Sequence, residues 1–276
     1  MLRRAAGSPA LDLEHYLRRL GAERPSAPDA EGLSRLHEAH LLAVPFENLS
    51  IIWGEPIVLD EEAIFRKIVD AGRGGGCLEL NALFAWALRA LGFEVELLSA
   101  RVRRKQGDFG PDFDHLCLRV RAGGEAWLAD VGFGDSFRRP LRLAAAGVHA
   151  EVRRAYALRP AGEEIELVRR EAEGPWEPQY RFSQVPRRLE EFAGMSAYHQ
   201  SAPDGPFTNR RLCSIATADG RLTLTDGSLV RTTLEGGRTE TPIPDESAWA
   251  HALRTVFGIQ PPDLDAASVG GPPSEA

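Results

Sequence analysis

The chain has 276 residues, 43% of them hydrophobic and 26% charged, a globular composition long enough for one large domain or two or three small ones. Its net charge of −7 argues against a general nucleic-acid binder, which needs a local excess of Lys and Arg to meet phosphate, and no apolar run approaches the roughly 18 residues of a membrane span. Three cysteines, Cys77, Cys117 and Cys213, leave at least one thiol free in a monomer, so the expectation is a soluble, unexported, cytoplasmic protein.

In chain order, the first ninety residues read as helical. Leu13, Tyr16, Leu17 and Leu20 recur at helical spacing behind Asp12 and stop at Gly21; Leu33, Leu36, His37, His40 and Leu41 repeat the pattern behind Asp29. A third helix is expected from Asp60 to Gly72, with Ala63, Ile64, Ile68 and Val69 on one face. A fourth runs from Cys77 to Leu91 on the stripe Leu80, Leu83, Phe84, Ala87, Leu88 and Leu91, ending before Gly92.

The period then changes to two. Phe93, Val95 and Leu97 alternate with polar residues, as do Leu116, Leu118 and Val120. The turn signal Ala122-Gly123-Gly124-Glu125 predicts a hairpin with the strand Ala126 to Val131. Further strands are expected over 151–159, 163–170 and 176–182, a spacing that suggests an antiparallel barrel or sandwich. The Pro- and Gly-rich stretch from Ser201 to Pro206 marks a boundary, beyond which 221–224 and 228–233 form a hairpin and Glu246 to Phe257 a last helix. The predicted units are therefore 1–91 (helical), 92–200 (barrel), 201–262 (small α/β) and a disordered tail, 263–276.

Chemistry is first suggested by Gly72-Arg73-Gly74-Gly75-Gly76-Cys77, which sets four glycines before a cysteine that opens an amphipathic helix. Free amides and the positive end of a helix stabilise a thiolate. A phosphate loop is set aside because its Gly-Lys-Ser/Thr ending is missing. Taken alone, Cys77 is more often a small buried apolar residue. A nucleophile needs a base, and His115 lies on the strand face opposite Leu116, Leu118 and Val120. If Arg121 pairs with Ala126, Cys117 faces Asp130 and His115 faces Gly132, which makes His115 and Asp130 diagonal neighbours about 7–8 Å apart at the backbone. A three-residue loop would part them. His37 and His40 stand three apart on a helix, yet without an accompanying Cys or acidic cluster they read as a packed or solvated face, and no metal is expected. Cys117 and Cys213 read as core. The pairs Arg138-Arg139, Arg187-Arg188 and Arg210-Arg211 read as solvated, or as one partner for phosphates.

The blocks Val44-Pro45-Phe46-Glu47-Asn48-Leu49, Arg73-Gly74-Gly75-Gly76-Cys77-Leu78-Glu79-Leu80-Asn81, Asp114-His115-Leu116 and Asp130-Val131-Gly132-Phe133-Gly134, with 38 residues from Cys77 to His115 and 15 from His115 to Asp130, resemble the signature blocks of the arylamine N-acetyltransferases. The resemblance implies an α+β fold: a helical N-terminal domain and an antiparallel β-barrel forming a cysteine-protease-like core, plus a small α/β lid domain. It implies acetyl transfer from acetyl-coenzyme A to an arylamine, arylhydrazine or N-hydroxyarylamine, with coenzyme A and a small-molecule amine as partners, in a monomer or weak homo-oligomer. By position, Cys77 is then the nucleophile, His115 the base and Asp130 the orienting carboxylate. Phe46 and Phe133 line the acceptor pocket, Gly134, Asp114 and Phe207 lie on the coenzyme side, and Glu47 and Arg73 form a bracing ion pair. Gly76, Leu78 and Asp114 depart from the usual pattern and touch the pocket wall and coenzyme approach. The alternative function is an amide synthase closing a macrolactam from a carrier-bound acyl thioester; a thiol protease and an inactive binding protein of the same fold are further rivals.

Overall fold

The computed structural model describes residues 11–144, 147–203 and 205–262; the predicted disordered tail lies outside them, as do the ten N-terminal residues. The fold is α+β. Helices α1 (Leu13–Leu20) and α2 (Ala30–Ala43) begin where the Asp12 and Asp29 carboxylates accept first-turn backbone N–H groups. A two-residue strand, β1 (Phe46–Glu47), and the short α3 (Leu49–Ile52) follow. Helix α4 (Glu61–Phe65), capped by Asp60, continues as a π-helical turn over Arg66–Asp70, so the third expected helix is present with a widened last turn. Helix α5 (Cys77–Ala90) is buried on nearly all sides. Its Leu80, Leu83, Phe84 and Leu88 share one core with Leu116, Leu118 and Val120, each large side chain contributing roughly 1.5–3 kcal/mol by leaving water.

Strands β2 (Glu94–Val102), β3 (His115–Ala122), β4 (Glu125–Ala129), β5 (Leu141–Arg142), β6 (Val148–Ala150), β7 (Arg154–Ala161), β8 (Glu164–Glu171) and β9 (Glu177–Arg187) form one antiparallel sheet in the order β5-β4-β3-β2-β9-β8-β7-β6. It curls into a nearly closed barrel around Leu98, Ala100, Cys117, Leu128, Tyr156, Tyr180 and Phe182. Arg121 pairs with Ala126, the register expected of a tight turn at Gly123 and Gly124.

Helix α6 (Ala193–Ser201) leads to β10 (Leu212–Thr217), β11 (Gly220–Thr225), β12 (Ser228–Thr233), β13 (Arg238–Pro242) and α7 (Glu246–Phe257). These strands form a second antiparallel sheet whose first member is β1, in the order β1-β10-β11-β12-β13. Trp249, Leu253 and Phe257 of α7 pack with Cys213, Leu224 and Leu49. Two of the arginines expected on solvated surface hold parts together instead. Arg138 Nη2 donates to the carbonyls of Thr217 (2.7 Å) and Gly220 (2.6 Å). Arg211 pairs with Asp226 and Glu246, each at 2.6 Å, over the Trp249 ring. No helix among the described residues is long and apolar enough to cross a membrane.

Candidate active site

The loop that delivers Cys77 is pinned from both flanks. Glu47 N–H donates to Gly75 O (3.0 Å) and Gly75 N–H to Pro45 O (3.3 Å), so the segment around β1 lies alongside the glycines. Arg73 Nη2 stands 3.0 Å from Glu47 Oε1, with the two side chains 12% and 0% exposed. The guanidinium also reaches Ser50 Oγ (3.2 Å) and Glu55 (3.1 Å). A second buried pair, which the sequence did not suggest, joins Lys67 to Glu79 at 2.8 Å, and Glu79 Oε2 reaches back to the N–H of Gly76 at 3.0 Å. Burial raises the Glu79 carboxyl pKa against the pull of Lys67 and that N–H. Cys77 therefore opens α5, buried, in a loop held by two ion pairs.

The His–Asp pair comes from the open end of the β3–β4 hairpin. The ladder stops at Leu118 opposite Ala129, so Cys117 and Asp130, and His115 and Gly132, lie past its end. The side chains still meet, with His115 Nε2 2.7 Å from Asp130 Oδ2. The face carrying His115 is not a solvated one: it turns toward the barrel interior, and His115 is 2% exposed. Asp130 Oδ1 accepts Asn81 Nδ2 (2.9 Å) and Gly132 N–H (3.0 Å). The Asp130 N–H donates to His37 Nε2 (3.1 Å), while His37 Nδ1–H donates to Arg138 O (2.8 Å). Both ring nitrogens of His37 are thus engaged by backbone, and His40 Nδ1 lies 2.8 Å from the Tyr16 hydroxyl.

Burial alone would lower the pKa of His115. The charge and hydrogen bond of Asp130, joined by those of Cys77, outweigh it and hold the imidazole up at about 10. Burial raises Asp130, but His115, Asn81 and Gly132 N–H leave it below the ordinary carboxylate range. Because Nε2 is committed to Asp130, Nδ1 is the nitrogen left to bond the Cys77 sulfur. The thiol also lies 4.0 Å from Asp114 O.

A narrow cavity opens over Cys77 and is lined by Phe46, Ile51, Ile57, Leu59, Leu78, His199 and Phe207 among others. Phe46 and Phe207 meet across it at 6.1 Å. Phe133 stands instead on the far side of His115, ring centroids 5.3 Å apart, with Tyr180 completing the cluster. A Cβ at Gly132 would fall 2.8 Å from Cys77 Cα, so only glycine lets the Asp130 loop pass this close to Cys77. Gly134 has φ +85° and open space where a side chain would be. A larger cleft lies between Asp135–Arg138 and the C-terminal hairpins, but it does not include Cys77. Its Arg154 and Arg221 are already paired with Asp135.

His37, Asn81, Lys67, Glu79, Tyr180 and His199 were not singled out for the site from sequence. Glu79 and Asn81 carried a signal, as polar residues inside the apolar run of α5 and members of the block around Cys77.

A sequence profile of the family described as N-acetyltransferase matches residues 29–265. The rabbit (Oryctolagus cuniculus) arylamine N-acetyltransferase 1 is 34% identical over 230 residues, covering 76% of this chain and 79% of that protein. The solved arylamine N-acetyltransferase of Salmonella typhimurium superposes with a TM-score of 0.85 at 33% identity, covering 91% of this chain and 92% of the other. The arylamine N-acetyltransferase of Mycobacterium marinum, solved in complex with CoA, does so at 0.83 and 30% identity, covering 94% and 95%.

Proposed function

The chain belongs to the arylamine N-acetyltransferase family, and from that premise we propose that it moves an acetyl group from acetyl-coenzyme A to an arylamine, arylhydrazine or N-hydroxyarylamine nitrogen in two steps, through acetyl-Cys77. The observation that carries this is a cysteine that opens a helix, lines a cavity and is in hydrogen-bonding reach of a buried imidazole already bonded to a carboxylate. His115 takes the thiol proton and Cys77 attacks the thioester carbonyl carbon. The first-turn amides of α5 receive the developing oxyanion. The carbon–sulfur bond to coenzyme A breaks, and the thiol leaves with the proton from His115. The amine then attacks the acetyl carbon, His115 accepts its proton, and the Cys77 sulfur is released. Asp130 holds the ring and its positive charge throughout.

The open space beside Gly134 and the backbone of Asp114 suit an approaching pantetheine arm, with Phe207 at the rim and Phe46 bounding the acceptor side, while Phe133 backs the His115 ring. The units 1–91, 92–200 and 201–262 divide the work: the first brings the nucleophile, the second the His and Asp, and the third covers the cavity. The narrowness of that cavity favours acetyl over the long carrier-bound chain of a macrolactam synthase.

Incubation with acetyl-coenzyme A alone is expected to add one acetyl to Cys77 by peptide mass spectrometry, and subsequent 4-methylaniline to remove it. An unmodified thiol under conditions of turnover would overturn the two-step route.

A further inference from the structure

A second histidine–carboxylate pair borders the same cavity and takes no part in the steps above. His199, on α6, is 7% exposed and sets Nε2 3.1 Å from Oδ1 of Asp114. The other oxygen of Asp114 lies 3.4 Å from the Val102 N–H, and its backbone carbonyl is the one beside the Cys77 sulfur. Phe207 packs edge-on against the His199 ring at 5.2 Å. One residue, Asp114, therefore ties His199 to the nucleophile's surroundings.

A carboxylate oxygen accepts the hydrogen bond from His199 Nε2–H, so in the tautomer that bond selects, Nδ1 is the ring's free acceptor. Nδ1 bonds no atom of the described residues. Other polar side chains of the lining are spoken for. Gln200 makes a two-way bond with the Ile57 backbone, at 2.8 and 3.2 Å, and also donates to Ser196 Oγ at 3.2 Å. Asn48 is held by Phe207 O and Arg210 O. The remaining wall is largely apolar: Phe46, Ile51, Ile57, Leu59 and Phe207.

Resting on the acetyl-transfer reading, the geometry points to His199 as a specificity-determining residue for the acyl acceptor, its Nδ1 taking a hydrogen bond from an N–H or O–H of the amine seated over Cys77. The acceptors favoured are aromatic amines or hydrazides that carry a second hydrogen-bond donor, over those with an apolar substituent. Asp114 acts through the ring, as a positioning residue.

The test compares 4-aminophenol with 4-methylaniline on the wild type and on His199→Leu. The ratio of their kcat/KM values, in which any general damage cancels, is expected to fall roughly three- to tenfold in the variant, the worth of one hydrogen bond, with the change carried in KM. Calorimetric Kd values for both amines on the unacylated proteins should show the same loss. A wild type that binds the two amines equally overturns the proposal whatever the variant does, and so does an unchanged ratio in a folded variant. Mass spectrometry of Cys77 in the same samples separates the two readings: an acetylated protein with no donor preference sinks only the role of His199.

Discussion

Asp130 holds His115 only because its own carboxylate is held. One oxygen is spent on the imidazole and the other on Asn81 and Gly132, which leaves the carboxylate little freedom to rotate. Asn81 is the less replaceable partner, because its amide also donates to Leu116 O (2.6 Å) while its oxygen accepts Val131 N–H (3.0 Å). Asn81→Ala breaks three buried hydrogen bonds, those to Leu116 O, Val131 N–H and an Asp130 oxygen that keeps only Gly132 N–H, and with unmade buried bonds costing roughly 1–3 kcal/mol each before relaxation, a loss of about 2–4 kcal/mol is expected by denaturant titration. Iodoacetamide alkylation of Cys77 should slow as His115 loses its alignment. Stability and alkylation both at wild-type level would show that Asn81 is a bystander. Cys77, His115 and Asp130 were legible as a candidate site because each is a chemically loaded type beside a local signal: glycines before Cys77, and a two-residue turn that sets the strands of His115 and Asp130 in register. His199 had no such signal, since its partner is 85 residues away and only tertiary packing brings the two together.

Strand β3 shows why a pattern of period two understated its own burial. Leu116, Leu118 and Val120 face α5, and the alternate residues His115 and Cys117 face the barrel interior, so both sides are enclosed; sequence alternation distinguishes the apolar side but not what covers the other. Helix α2 raises the same issue with measurable effect. Burial pushes His37 down to about 4 and His40 down to about 3, whereas an unfolded histidine titrates near 6.5. As pH falls below about 6.5 the unfolded chain takes up protons that the folded chain refuses, so the stability these residues supply is complete above that value and is lost toward pH 4 and 3. His115 has the opposite sign: its raised value supplies stability below about 6.5 that is lost as pH rises through 10. His40→Gln keeps an acceptor for the Tyr16 hydroxyl and removes one proton from the balance. The slope of unfolding free energy should therefore flatten by about 0.7 kcal/mol per pH unit at pH 6.5 and by about 1.3 near pH 5. Parallel curves for variant and wild type would mean that His40 does not titrate on unfolding.

The barrel, the helical layer and the terminal hairpin follow from hydrophobic period and turn chemistry, but the way the C-terminal sheet attaches does not. Its junction is β1, two residues long, which pairs Phe46 with Ser214 and Glu47 with Cys213; so short a strand has no period to read. Edge strand β13, exposed along its length, lacks apolar alternation for the same practical result. The side chain that fastens this junction is Asn48. Its amide donates to Phe207 O (2.8 Å) and Arg210 O (2.7 Å), and its oxygen accepts Leu212 N–H (2.8 Å), so one residue next to the cysteine loop anchors both the segment carrying Phe207 and the start of β10. Removing it should loosen the cover of the cavity while leaving the distant barrel wall intact. In Asn48→Ala, amide hydrogen exchange is expected to accelerate across 205–215 and to stay unchanged in β7 and β8. The acceptor KM should rise severalfold as Phe207 loses its fixed place opposite Phe46, and the free energy of local opening across 205–215 should drop by roughly 2–4 kcal/mol for three lost bonds. Exchange that accelerates equally in β8 would mean that the two sheets open as one unit, and Asn48 would then be a part of the common core, with no separate hold on the cover.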